Sequence, residues 1–245
     1  MAFFDEYPRF YETSIVGSTA NRLNSRHRAM IQDNLDCIRN HSILDLASHD
    51  GRWSFAALKA GARHVLGIEA RTHLIERALE TFRIHDVSPN VFSFINDDVY
   101  NQLPHISPNS IDTVFCFGFF YHTMHHQLLL SRIAALQPKH LIIDTCICTS
   151  ADPVIEVRAE STDDDAAVFP SSGDVLKTSL VGYPSRRAID LMLENFAFYF
   201  RYFDWQAMPI SDWTSIEDYR DGLRVTLRGD LRSLPCECCA GLPPS

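Results

Sequence analysis

Five acids and one histidine stand where chemistry could be done: Asp45, Glu69, the pair Asp97-Asp98, Asp144 and His122. His122 leads the set, because an imidazole titrates near neutral pH and can take a proton from a hydroxyl. Asp144 could orient that histidine, act as the base itself, or ligate a metal. His125 and His126 follow closely. With Asp144 and an acid from a later acidic segment they could hold a divalent ion such as magnesium, which would activate a sugar or diol hydroxyl. The plainer alternative is a helix N-terminus carrying hydrogen-bonded histidines. Glu69 lies 24 positions after Asp45. A carboxylate ending a second strand can accept both hydroxyls of a ribose.

Strands and helices must bring these residues together. Apolar runs at Ile43–Ala47, His64–Ala70, Val91–Ile95, Ile111–Gly118 and His140–Ile147 read as strands. Helical spacing fills the intervals Arg52–Ala60, Thr72–Arg83 and His125–Leu136. Such alternation predicts a parallel sheet with right-handed crossovers and helices on both faces. In such sheets ligands lie beyond the carboxyl ends of the strands. The stretch Asp45 to Gly51 sits there, and its amides can face a polar or anionic group.

That loop reads Ala47-Ser48-His49-Asp50-Gly51, with a single glycine. A dinucleotide site needs glycines so that the backbone can approach a pyrophosphate. Ala47 and His49 stand where a glycine-rich variant has two of them, and the His49 side chain would obstruct a diphosphate. An adenosine cofactor without phosphates tolerates that bulk, which favours S-adenosylmethionine over NAD.

On these motifs, residues 42–147 resemble the cofactor half of the class I S-adenosylmethionine-dependent methyltransferases. The resemblance implies a Rossmann-like, seven-stranded, mostly parallel sheet completed by an antiparallel C-terminal hairpin. It implies that Asp45 serves the methionine end and that Glu69, followed by Ala70, holds the ribose. Asp97 or Asp98 would meet the adenine amine, with Asp98 preferred for its D-V-hydrophobic continuation. Phe117 and Tyr121 would close over the sulfonium. The segments "DLASHDGRWSFAALKAGARHVLGIE" and "FGFFYHTMHH" are also similar to bacterial enzymes near the tRNA wobble-uridine carboxymethyl-transferring group, and to small-molecule and sugar O-methyltransferases.

The rest of the chain sets the acceptor side. Residues 1–41 read as a helical cap, where Arg22 or Arg26 of "RLNSRHR" could pair a cofactor carboxylate or simply form a solvated face. Residues 149–184 are acidic and loop-like, an expected acceptor lid with Glu156, Arg158 and Glu160 as polar contacts. Over 185–232 a helix, an aromatic strand and a last strand, "GLRVTLRG", supply the hairpin, and Tyr199 or Tyr202 could line the acceptor pocket. The terminal Cys236, Cys238 and Cys239 lack a nearby fourth ligand for zinc.

The 245 residues suit one domain with a sizeable core, and the net charge of −9 disfavours a nucleic-acid backbone as partner. No signal-peptide layout or spanning apolar run is present. The chain therefore reads as soluble and cytoplasmic, and as compatible with a homo-oligomer. The seven cysteines are odd in number and sit mostly in apolar strands, as reduced thiols do. The expected activity is O-methylation of a small polar acceptor, a saccharide or a natural-product hydroxyl. A tRNA-modifying methyltransferase and a non-catalytic cofactor-binding regulator are the alternatives.

Overall fold

The computed structural model describes residues 2–13, 20–165, 167–169 and 177–232. Helices α1 (Ala20–Met30) and α2 (Leu35–Ile38) precede the alternating unit. The chain then runs β1 (Ser42–Leu46), α3 (Arg52–Lys59), β2 (His64–Glu69), α4 (Thr72–Ile84), β3 (Phe92–Asn96), α5 (Val99–Gln102), β4 (Thr113–Phe117), α6 (His126–Ala135) and β5 (His140–Cys146). A hairpin of β6 (Ile155–Ser161) and β7 (Thr178–Pro184) follows, then α7 (Arg186–Asn195), β8 (Phe198–Tyr202), α8 (Glu217–Arg220) and β9 (Arg224–Leu231).

Seven strands form one sheet in the order β3-β2-β1-β4-β5-β9-β8. The first five are parallel, while β9 runs antiparallel between β5 and β8. This is the expected Rossmann-like methyltransferase fold. The strand order reverses between β1 and β4, so a crevice opens at their carboxyl ends.

The sequence dictates this layering through strands that are apolar on both faces. Leu44, Leu46, Val114, Cys116, Leu141 and Ile143 pack with residues of α6 and α7 on one side. Ile43, Phe115, Phe117 and Ile142 meet Trp53, Phe55 and Phe82 on the other. Short helical turns at Phe3–Asp5 and Pro8–Tyr11 seal this second face, with Phe4 and Phe10 buried. A smaller cluster of Trp205, Met208, Ile216 and Tyr219 packs on Ala29.

Three expectations need correction. Residues 149–184 are not irregular throughout, because β6 and β7 pair in antiparallel register from Ile155↔Pro184 to Ser161↔Thr178. Apolar Ile155, Val157 and Ala159 alternate with charged Glu156, Arg158 and Glu160, which is a strand pattern. The polar face of "RLNSRHR" is not solvated, since Arg22, Ser25 and His27 are buried. Tyr199 and Tyr202 do not reach the crevice. Tyr199 is 60% exposed beneath Arg232, and the Tyr202 hydroxyl donates to Asp190. Residues 233–245, with the terminal cysteines, lie outside the described residues.

No described helix is long and apolar enough to cross a membrane. Among the described residues Cys37, Cys116, Cys146 and Cys148 are free thiols.

Candidate active site

A cavity of about 490 Å³ opens at the carboxyl ends of the central strands. That size suits a small ligand. Its first wall is the loop after β1. Ala47, His49 and Gly51 all take left-handed backbone conformations, with φ of 50°, 53° and 73°. The loop therefore keeps the shape of a glycine-rich turn while carrying two side chains, a strain of about 1 kcal/mol or more at each non-glycine position. Gly51 is obligatory for a second reason. A Cβ there would come within 2.9 Å of the Ala78 Cβ on α4.

Backbone bonds hold this loop open toward the cavity. Ser48 N–H donates to the Ile68 carbonyl, and His49 N–H donates to Glu69 Oε2 at 2.9 Å. Ala47 and His49 line the cavity, whereas Asp45, Ser48 and Gly51 lie behind it. Asp45 thus departs from its expected ligand role. It is fully buried and accepts a 2.6 Å bond from Ser54 Oγ on α3. Burial pushes its carboxyl up to about 7. Asp50 is also buried, but there Arg52 prevails over desolvation and holds the carboxyl far below the usual range. Thr13 donates to the same group.

The second wall comes from β2 and β3. Glu69 ends β2 and is almost completely buried. Its Oε1 accepts from Arg71 N–H at 2.8 Å, so each oxygen takes one backbone donor. A carboxylate oxygen can accept more than one such bond, and Glu69 and Ala70 both line the cavity. Asp97 and Asp98 line it as well. Asp97 is committed on both oxygens, to Asn101 and Asp98 N–H through Oδ1 and to Gln102 through Oδ2. Asp98 caps α5 by accepting from Tyr100 N–H through Oδ1.

The third wall follows β4. Phe117, Tyr121, His122 and His125 line it. The Tyr121 ring lies tilted by 36° against His122 with centroids 4.0 Å apart, and Tyr183 of β7 lies 5.1 Å away. His122 Nδ1 meets Glu160 Oε2 of β6 at 2.6 Å. The hairpin thus reaches the site through Glu160, while Glu156 and Arg158 pair with each other at its surface.

Asp144 does not orient His122. Its carboxylate accepts from Arg26 at 2.9 Å, from Arg224 Nε at 2.7 Å, from Tyr219 at 2.8 Å and from Thr226 at 2.7 Å. Burial opposes its ionisation, yet Arg224 and Arg26 hold it well below the usual carboxylate range. So saturated a group has no place for a proton or a metal. The divalent site that those residues could have held does not form either. Among the described residues, His122, His125, His126 and Asp144 bring no three ligand atoms together. His126 instead packs inward against the Gly182 carbonyl.

Sequence reasoning missed most of the basic lining. Arg26, Arg52, Arg71 and Arg224 border the cavity, as does Arg22, which is held bidentately by Asp218 at 2.8 Å. The one sequence signal for Arg224 is a charge opening an apolar strand.

Residues 43–138 match the family described as "Methyltransferase domain". Over that stretch the chain is similar to this family. Those residues carry the loop after β1, Glu69, the two aspartates and the aromatic third wall, and the chain has the makings of a methyltransferase enzyme around them. No curated protein sequence matches the chain significantly. Among solved structures, the N-terminal domain of EvdMO1 with SAH bound is 18% identical, covers 88% of this chain and 86% of its own, and superposes with a TM-score of 0.66. The same domain in the presence of SAH and D-fucose is 17% identical over 85% and 83% of the two chains, with a TM-score of 0.64. Magnesium protoporphyrin IX methyltransferase (ChlM) from Synechocystis PCC 6803 with bound SAM is 14% identical over 94% and 91%, with a TM-score of 0.59. At these identities the chain shares a fold with them.

Proposed function

We propose that this methyltransferase uses S-adenosylmethionine to methylate a hydroxyl of a small polar acceptor, with saccharides the favoured class. Glu69 carries the reading. It presents a carboxylate to the cavity with one backbone donor on each oxygen, and its remaining lone pairs suit the two hydroxyls of a ribose. Asp98, with Oδ1 used as a helix cap and Oδ2 without a hydrogen-bond partner among the described residues, suits an adenine amine better than the committed Asp97. Arg26 is the stronger candidate for the cofactor carboxylate: it gives Nη2 to Asp144, but its buried Nε has no partner among the described residues, whereas Arg22 is held bidentately by Asp218. When bound, the cofactor supplies a methyl group on a sulfonium.

His122 is the proposed proton acceptor. With Nδ1–H donated to Glu160, the tautomer leaves Nε2 to receive the acceptor's proton. Phe117 and Tyr121 exclude water above the reacting centre. A saccharide acceptor is supported by the D-fucose present with the EvdMO1 domain. The acidic balance of the chain supports a small acceptor over RNA.

Calorimetry with S-adenosylhomocysteine tests the cofactor reading, and absence of heat at high micromolar ligand overturns it. Glu69→Ala should weaken binding about 10- to 100-fold, the range for hydrogen bonds to a charged group. Incubation with methyl-labelled cofactor and a panel of sugars tests the acceptor. There His122→Gln should abolish transfer and leave S-adenosylhomocysteine affinity intact.

A further inference from the structure

At the sheet end opposite the cavity, His140 opens β5 directly across from Asp230 of β9. His140 Nδ1 lies 2.6 Å from Asp230 Oδ1. Buried Cys37 of α2 joins them, and the ligand atoms of the three lie within 4.8 Å of one another. Four ligands around zinc stand about 3.5 Å apart at the usual bond lengths, so small side-chain shifts would close this set on an ion. His41 follows Cys37 by four residues, and its ring centroid is 5.7 Å from that of His140. Its Nδ1 is buried without a hydrogen-bond partner among the described residues, and the ring stands outside the 4.8 Å group, so it must swing inward to complete it.

We propose that Cys37, His140 and Asp230, completed by His41, form a structural site for a zinc-type divalent cation. A thiolate, two imidazoles and a carboxylate are a donor set that suits zinc. Arg228 Nε lies 2.8 Å from Asp230 Oδ1, the oxygen that also meets His140, and must give up that bond to the metal while keeping Asp36 at 2.7 Å; Lys139 is paired with Asp112. On binding, the Cys37 sulfur forms a bond to the metal and its proton passes to the buffer, while neutral imidazoles coordinate without proton loss. Burial keeps the metal-free thiol protonated. The ion would pin α2 to the β5–β9 pair, away from the catalytic cavity.

Cobalt(II) titration of the full chain tests the site. The expected result is a thiolate-to-cobalt charge-transfer band that saturates at one equivalent and disappears on adding zinc. Cys37→Ser should abolish the band, and Asp230→Asn should weaken cobalt binding at least tenfold. The triple variant Cys236→Ser, Cys238→Ser, Cys239→Ser should retain it. Absence of the band in the parent protein overturns the proposal, as does a band that survives Cys37→Ser or is lost in the triple variant. If circular dichroism shows Cys37→Ser unfolded, Asp230→Asn decides, and unchanged cobalt affinity overturns the site.

Discussion

Asp144 shows how one residue can look catalytic and serve instead as a clamp. Four donors from three elements meet its carboxylate: Arg26 of α1, Tyr219 of α8, and Arg224 and Thr226 of β9. Two guanidiniums share one fully buried anion, so the net local charge toward the cavity is positive. Asp144→Asn would leave both without their counter-charge and should destabilise the fold by about 3–5 kcal/mol in urea unfolding. Unchanged stability would mean that the arginines are held independently of it. The sign of its pH dependence follows from its lowered pKa. The contribution of Asp144 is present above the ordinary aspartate value of 3.8 and is lost as pH falls below it.

At the level of elements, Gly182 decides where the β6–β7 hairpin sits. A Cβ there would stand 2.8 Å from the His126 ring and 3.0 Å from the Thr123 carbonyl. Gly182→Ala should therefore lift the hairpin, costing about 1–3 kcal/mol in thermal unfolding and speeding proteolysis within 149–184. Equal cleavage rates would refute that anchoring role. The same hairpin marks the limit of sequence reading. The βαβ units were legible because buried parallel strands are continuous apolar runs bounded by helical spacing. Glu69, Asp98, Phe117, Tyr121 and His122 lie at or just beyond the strand ends, so finding the strands located them. The hairpin was hidden because residues 162–177 separate its strands, leaving no tight-turn signal, and an acidic run dominates the connection. The tie of Arg26 and Arg224 to a buried acid was illegible for a different reason. Their partner, Asp144, is distant in sequence, so "RLNSRHR" reads locally as a solvated face.

For the whole molecule, buried ionisable groups pull stability in opposite directions with pH. Burial lowers His27 and His126 to about 4, so their contribution is complete above 6.5 and is lost as pH falls toward 4. Asp45 acts the other way. Raised to about 7, it favours the fold at low pH and loses that advantage as pH rises from 3.8 through 7. Asp45→Asn, which keeps a partner for Ser54, should lack this loss. Urea midpoints measured without cofactor should show the variant gaining on the parent by about 1–3 kcal/mol between pH 5 and pH 8. Parallel pH profiles would show that Asp45 is ionised in the native state throughout.

The insertion of β9 between β5 and β8 has a consequence in time. Tyr219, Arg224 and Thr226 follow Asp144 by 75, 80 and 82 positions, yet the acid needs them all for its charge to be matched. While a ribosome is still making those residues, the emerged portion holds Glu69 and the loop after β1 but has an unfinished wall beside them. Closing so long a loop is slow relative to forming the local βαβ units. In a refolding experiment, helical signal should therefore return before the protein can retain a ligand in the cavity.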